Sequence, residues 1–118
     1  MILIVEDDYS VALVISKACW AAGLETRVAS NGQEALDMIH GGLRPSAIIL
    51  DLYMPILDGN GFLEKFQEFS RRPPVVVLSA YLDMLREDLK GIPAKLIRKP
   101  PDLTSLVDIL VDCEKNYG

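Results

Sequence analysis

Short apolar runs alternate along this chain with longer segments whose apolar residues return every three or four positions. ILIV at 2–5, LETRVA at 24–29, SAIIL at 46–50, PVVVLS at 74–79 and AKLIR at 94–98 read as strands. Four of the five are rich in Val, Ile or Leu and three lack clear alternation, the pattern of strands covered on both faces. Between them, 10–22 carries Val11, Val14, Ile15, Ala18 and Cys19 at helical spacing, and Gly23 after Ala21–Ala22 supplies a left-handed stop. GQEALDMIH at 32–40 predicts a second helix with Ala35, Leu36 and Ile39 on one side, ended by Gly41–Gly42. A third, over 59–70, sets Phe62, Leu63, Phe66 and Phe69 on one face. Leu82, Leu85 and Leu89 predict a short fourth helix. Leu103, Leu106, Val107, Leu110 and Val111 predict a fifth.

Strand followed by helix, five times over, implies parallel strands joined by right-handed crossovers, hence an open doubly wound α/β sheet. Ligands of such sheets bind beyond the carboxyl ends of the strands, near the switch in strand order. By that rule the chemistry gathers at one end. Glu6, Asp7 and Asp8 follow the first strand, Asp51 the third, Ser79–Ala80 close the fourth, and Lys99 follows the fifth.

Composition narrows the function without naming it. The 118 residues, half hydrophobic and a quarter charged, fit one soluble domain spanning 1–118, with its core at about 2–111. A net charge of −5 with no basic stripe argues against a nucleic-acid surface. No apolar stretch is long enough to span a bilayer and no signal peptide opens the chain, so a cytoplasmic location is expected. Cys19 and Cys113 fit no metal or redox spacing and read as plain buried or half-buried thiols. Three adjacent carboxylates at a strand end repel one another, so either the loop is merely solvated or a positive group belongs there.

Taken in order, LIVEDD at 3–8, NGQEAL at 31–36, DLYMPILDG at 51–59, VVLSA at 76–80 and RKP at 98–100 resemble a response-regulator receiver domain, the CheY-like phosphoacceptor of two-component signalling. The resemblance runs from about Ile2 to Val111. It implies a flavodoxin/CheY-like (βα)5 fold, five parallel strands in the order 2-1-3-4-5. It also implies that Asp51 is the phosphoacceptor, accepting a phosphoryl group from a phosphohistidine or a small phosphodonor. Asp7 would ligate Mg²⁺ (or Mn²⁺) directly, Glu6 through water, with Asp51 and the backbone carbonyl of Tyr53 completing the protein ligands. Lys99 would set its ammonium against Asp51 at rest and against a phosphoryl oxygen after transfer. Ser79 would offer its hydroxyl and Ala80 its backbone N–H to the same group. Asp8, outside the acidic pair, reads as a helix cap. By the same resemblance Lys99–Pro100 is expected to be cis. The implied partners are a sensor histidine kinase or phosphotransfer protein and a downstream target or fused output domain. The receiver itself would be a monomer or a weak phosphorylation-dependent dimer. It would not be an enzyme in the ordinary sense, but would catalyse its own phosphorylation and dephosphorylation.

The chain departs from the family pattern in places. Leu96 stands where receivers commonly carry Tyr or Phe, so an aromatic switch is not expected to carry the output, and Pro101 replaces a common aromatic. Tyr53 and Tyr81 occupy the positions, two after Asp51 and two after Ser79, that tune acyl-phosphate hydrolysis in the family. Ordinary half-exposed aromatics are the alternative reading. A haloacid-dehalogenase-like phosphatase shares an aspartyl nucleophile, Ser, Lys and Mg²⁺, but needs a second Asp where Tyr53 stands. A degenerate, never-phosphorylated receiver would lack part of the set Glu6, Asp7, Asp51, Ser79 and Lys99. His40, the lone histidine, reads as a cation at a helix end, Trp20 as packing, and Gly59–Asn60–Gly61 lacks the third glycine of a dinucleotide loop.

Overall fold

Three of the strand segments are so apolar that each needs cover on both sides, and this requirement builds the molecule. A computed structural model describes residues 1–117. Its strands are β1 (Ile2–Val5), β2 (Thr26–Ala29), β3 (Ala47–Leu50), β4 (Val75–Ser79) and β5 (Lys95–Arg98), all parallel in the order β2-β1-β3-β4-β5. The helices are α1 (Tyr9–Ala21), α2 (Gly32–His40), α3 (Gly59–Phe66) and α4 (Leu103–Asn116). Alternation along the strands divides the core in two. Ile2 and Ile4 with Ile49, Val76 and Leu78 pack on Ile15, Cys19, Leu106 and Leu110 of α1 and α4. Leu3 and Val5 with Ile48, Leu50 and Val77 pack on Leu36, Phe62, Leu63 and Phe66 of α2 and α3. Each fully buried side chain of this kind contributes about 1.5–3 kcal/mol. Among the described residues no helix is long and apolar enough to cross a membrane.

Side-chain caps set the helix starts. Asp8 accepts from the N–H groups of Ser10 and Val11 (2.9 and 3.3 Å), which begins α1 at Tyr9 and accounts for the third acid of the N-terminal cluster. Asn31 caps α2 through the Glu34 N–H, and Asp58 caps α3 through the Gly61 N–H. Gly23, at φ +82°, follows α1 in the left-handed conformation that favours glycine.

Four expectations need correction. The face of α1 that is buried runs through Ala12, Ile15, Ser16 and Cys19, whereas Val14 is half exposed and Val11 only partly covered. Apolar residues therefore outnumber the places beneath this helix. Trp20 is likewise half exposed, its Nε1 donating to Thr26 Oγ1 at 2.8 Å across the turn to β2. α3 ends at Phe66 rather than Ser70, its last turn tightening into i→i−3 bonds from Glu68 to Lys65 and from Phe69 to Phe66.

The fourth correction is the largest. The expected helix at Leu82–Leu89 is two separate 3₁₀ turns, Leu82–Met84 and Glu87–Leu89. Leu85 and Leu89 are buried as their spacing implied, but Leu85 and Arg86 between the turns are extended, with ψ 122° and 142°. A continuing helix would bond the Arg86 N–H to Leu82 and give the Met84 carbonyl a partner four residues on. Instead the Asn60 amide takes both, accepting from Arg86 N at 2.9 Å and donating to Met84 O at 2.8 Å.

Gly59 brings α3 against the strand end that carries Asp51. A Cβ there would lie 2.7 Å from both the Asp51 carbonyl oxygen and Leu52 Cα, backbone atoms that cannot give way. Gly59→Ala is expected to destabilise the protein by about 1–3 kcal/mol through overpacking, read as a lower urea midpoint with an unchanged slope.

Candidate active site at the carboxyl ends of the strands

The parallel register brings the polar residues together. Val5 lies opposite Leu50, so the residues one step further, Glu6 and Asp51, emerge side by side from β1 and β3. Their backbones continue the sheet briefly, Glu6 N donating to Ala29 O at 3.0 Å and Asp51 N to Val5 O at 3.1 Å. Ser79 closes β4 opposite Arg98, and Lys99 follows, its N–H donating to Ser79 O at 3.2 Å. The Lys99–Pro100 peptide is cis.

Glu6, Asp51 and Ser79 are buried and Asp7 is exposed. Carboxylate oxygens of Glu6, Asp7 and Asp51 all lie within 4.8 Å of one another. The Lys99 ammonium bridges two of these acids, hydrogen-bonding Glu6 Oε1 and standing 3.0 Å from Asp51 Oδ2. Three carboxylates against one ammonium leave a formal excess of two negative charges in a largely covered recess. An all-oxygen, carboxylate-rich donor set with an open side at Asp7 suits a hard divalent cation.

Burial raises the Glu6 carboxyl to about 7, outweighing the Lys99 hydrogen bond that pulls it down, and the nearby charge of Asp51 adds to the rise. The pairing holds the Lys99 ammonium above its ordinary range even though desolvation acts in the opposite sense. The Lys99–Glu6 pair was not legible from the spacing of the motifs, which suggested only the pairing with Asp51. The signal that could have revealed it was the ratio of acids to cations at this end of the sheet.

The rim is aromatic. The Tyr53 N–H donates to Asp51 Oδ1 at 3.4 Å and the Tyr81 N–H to Ser79 Oγ at 3.1 Å. The two rings meet at 5.5 Å between centroids, 52° apart, and both are more than half exposed. Ala80 is exposed, and its carbonyl accepts from Arg98 Nη1 at 3.4 Å. Beyond Tyr53, Ile56 sits at φ +70° and is 82% exposed, a conformation that costs a β-branched residue on the order of 1–3 kcal/mol. Nothing in the sequence pattern marked it.

A family model, the response regulator receiver domain, matches residues 2–111. The chain belongs to the response-regulator receiver family. Receivers of two-component systems are accordingly its relatives. It is 30% identical over 118 residues to the sporulation initiation phosphotransferase F of Bacillus subtilis (strain 168), covering 98% of this chain and 91% of that protein. It is 33% identical over 107 residues to the regulatory protein AtoC of Escherichia coli (strain K12), covering 89% of this chain but only 23% of AtoC. Among solved structures, the receiver domain of a Francisella response regulator superposes with a TM-score of 0.86 at 30% identity, covering 99% of this chain and 98% of the other.

The raised Glu6 carboxyl carries a sign that can be checked. The native state holds this proton more firmly than the unfolded chain, so its stabilising contribution is complete below about 4.5 and lost as pH rises through about 7. In protein kept free of divalent cations, the urea midpoint is expected to fall across that window, and Glu6→Gln is expected to flatten the slope.

Proposed function

We propose that this receiver accepts a phosphoryl group on Asp51 in a divalent-cation-dependent transfer and controls a partner through the phosphorylated state. The observation that carries the reading is the convergence of Glu6, Asp7, Asp51, Ser79 and Lys99 from four strand ends into one recess. Asp51 Oδ attacks the phosphorus of a phosphohistidine or of a small acyl phosphate. A P–O bond to Asp51 forms while the bond from phosphorus to the leaving nitrogen or oxygen breaks, and the leaving group keeps the electron pair. Such a reaction depends on positioning and charge compensation more than on covalent assistance.

Each residue has a part in that compensation. Lys99, already 3.0 Å from Asp51, transfers its ammonium contact to a phosphoryl oxygen once Asp51 becomes an acyl phosphate. Ser79 gives up its bond from the Tyr81 N–H and presents its hydroxyl to a second oxygen, with the Ala80 N–H beside it. Asp7 and Asp51, with Glu6 through water and the Tyr53 carbonyl, are the groups that would hold Mg²⁺ or Mn²⁺. The bound ion supplies charge neutralisation at the phosphoryl oxygens. Glu6 has a second role, holding Lys99 within reach of Asp51.

The phosphodonor is a sensor histidine kinase or a phosphotransfer protein, and the chain works in the cytoplasm as a domain spanning 1–118. The receiver is not an enzyme with a separate substrate, since the group it acts on is its own Asp51. Leu96, half exposed on the edge strand β5, lacks the ring that would signal inward movement of an aromatic, so the output does not pass through one.

Incubation with acetyl phosphate and Mg²⁺ is expected to add the mass of one phosphoryl group to the peptide containing Asp51, with none on Asp51→Asn or in excess EDTA. Labelling elsewhere, or its absence from wild type, would sink the assignment. The paired rings of Tyr53 and Tyr81 hinder approach of water to the acyl phosphate. Tyr53→Asn and Tyr81→Ala are each expected to speed its loss, on the order of tenfold together, or about 1.4 kcal/mol of barrier. The decay of label after the donor is removed measures this directly.

A further inference from the structure

Asn60 belongs to none of the motifs that form the site, yet it stands at the head of a hydrogen-bond chain that ends on Ser79. Its Nδ2 donates to Met84 O at 2.8 Å, the Met84 N–H donates to Tyr81 O at 2.9 Å, and the Tyr81 N–H donates to Ser79 Oγ at 3.1 Å. Its Oδ1 accepts from Arg86 N at 2.9 Å, so one side chain in the first turn of α3 grips the β4–β5 crossover at two points. Arg86 strengthens the grip, its guanidinium reaching back to Glu64 on α3 at 2.6 Å and forward to Asp88 at 2.7 Å. Beneath the grip Leu85 is buried against the face of the core to which α3 contributes Phe62 and Phe66. The crossover is therefore fixed to α3 by a bidentate amide and the Arg86–Glu64 ion pair, and to the core by Leu85 and Leu89.

Tyr81 is the residue through which this matters to the site. Its backbone joins the chain from Asn60 at the carbonyl and Ser79 at the N–H, and its ring meets Tyr53, which in turn bonds Asp51. A 3₁₀ turn of three residues has too few internal bonds to hold its own shape or position. Held by Asn60 at Met84, the turn keeps Tyr81 against Tyr53. Released, it would leave the Tyr81 ring free to swing from the rim, and water would have a wider approach.

We propose that Asn60 is a positioning residue for the acyl-phosphate state: by clamping the β4–β5 crossover to α3 it holds Tyr81 against Tyr53 and thereby sets the lifetime of phosphorylated Asp51. The proposal rests on Asp51 being the phosphoacceptor. The step it governs is hydrolysis, in which water attacks phosphorus, the P–O bond to Asp51 breaks, and the carboxylate and inorganic phosphate are released.

The test compares Asn60→Ala, Tyr81→Ala and the double variant, each phosphorylated with acetyl phosphate and Mg²⁺ and followed by intact-protein mass after the donor is removed. Asn60→Ala is expected to speed decay by up to roughly threefold, no more than Tyr81→Ala itself, and in the Tyr81→Ala background it is expected to add nothing, because the ring it positions is gone. A purely structural role would give equal effects in both backgrounds. Asn60→Asp, which keeps the acceptor for Arg86 N but loses the donor to Met84 O, is expected to fall between wild type and Asn60→Ala, and it serves also should the alanine variant fold poorly. Hydrogen exchange over 81–90 in unphosphorylated protein is expected to rise in the same order. Wild-type decay in Asn60→Ala, an undiminished effect in the Tyr81→Ala background, or unchanged exchange each overturns the clamp while leaving Asp51 phosphorylation standing. Absence of any label on wild-type Asp51 overturns both.

Discussion

One ammonium shared by two buried carboxylates is the constraint on which this site depends. Glu6 and Asp51 are placed side by side by the parallel pairing of β1 with β3, and the core on either face of the sheet leaves them no room to move apart. Lys99, delivered by β5 from two strands away, is the cation that touches both. With Asp7 included the recess is still short of positive charge, and Asp7, on the open side, marks where the deficit can be made good. The same imbalance that costs stability in the resting fold is one that a bound cation would relieve.

The sheet supplies the geometry for this because each strand is fixed by burial rather than by its own polar ends. β1, β3 and β4 are covered completely, so their carboxyl ends are held in register by apolar packing that the site does not disturb. β5 is different. It is an edge strand with most of its residues exposed, and the crossover leading to it has no full helix. Ser79 and Lys99 thus border the less buried side of the molecule, while Asp51 and Glu6 spring from the fully buried centre.

The sequence was readable wherever a residue's role follows from period and position. Strand positions, four of the five helices, and the gathering of Glu6, Asp7, Asp51, Ser79 and Lys99 at one end came from apolar runs and a topological rule, because buried parallel strands and their crossovers leave little choice. Asp8 was set apart from its neighbours by the family resemblance, and an acid just before a helix has an independent use as a cap, the use the structure shows. What could not be read were contacts between residues far apart in the chain. Glu6 and Lys99 are separated by 93 positions, and Asn60 meets Arg86 across 26. Neither pairing leaves a local trace. Periodicity misled at Leu82, Leu85 and Leu89 for the same reason: the apolar anchors were real, but a distant amide took the hydrogen bonds that a helix would have used internally.

That substitution changes what kind of element stands between Ser79 and Lys99. A regular helix would carry its own hydrogen bonds and could shift as a body against the sheet. Two 3₁₀ turns joined by an extended pair cannot, since their order is borrowed from α3 through Asn60 and from the core through Leu85 and Leu89. Movement at Ser79 must then either be absorbed within the short turn that carries Tyr81 or pull on α3. The crossover therefore ties the end of β4 mechanically to α3, and any displacement of Ser79 would be felt there as well as on the edge strand β5.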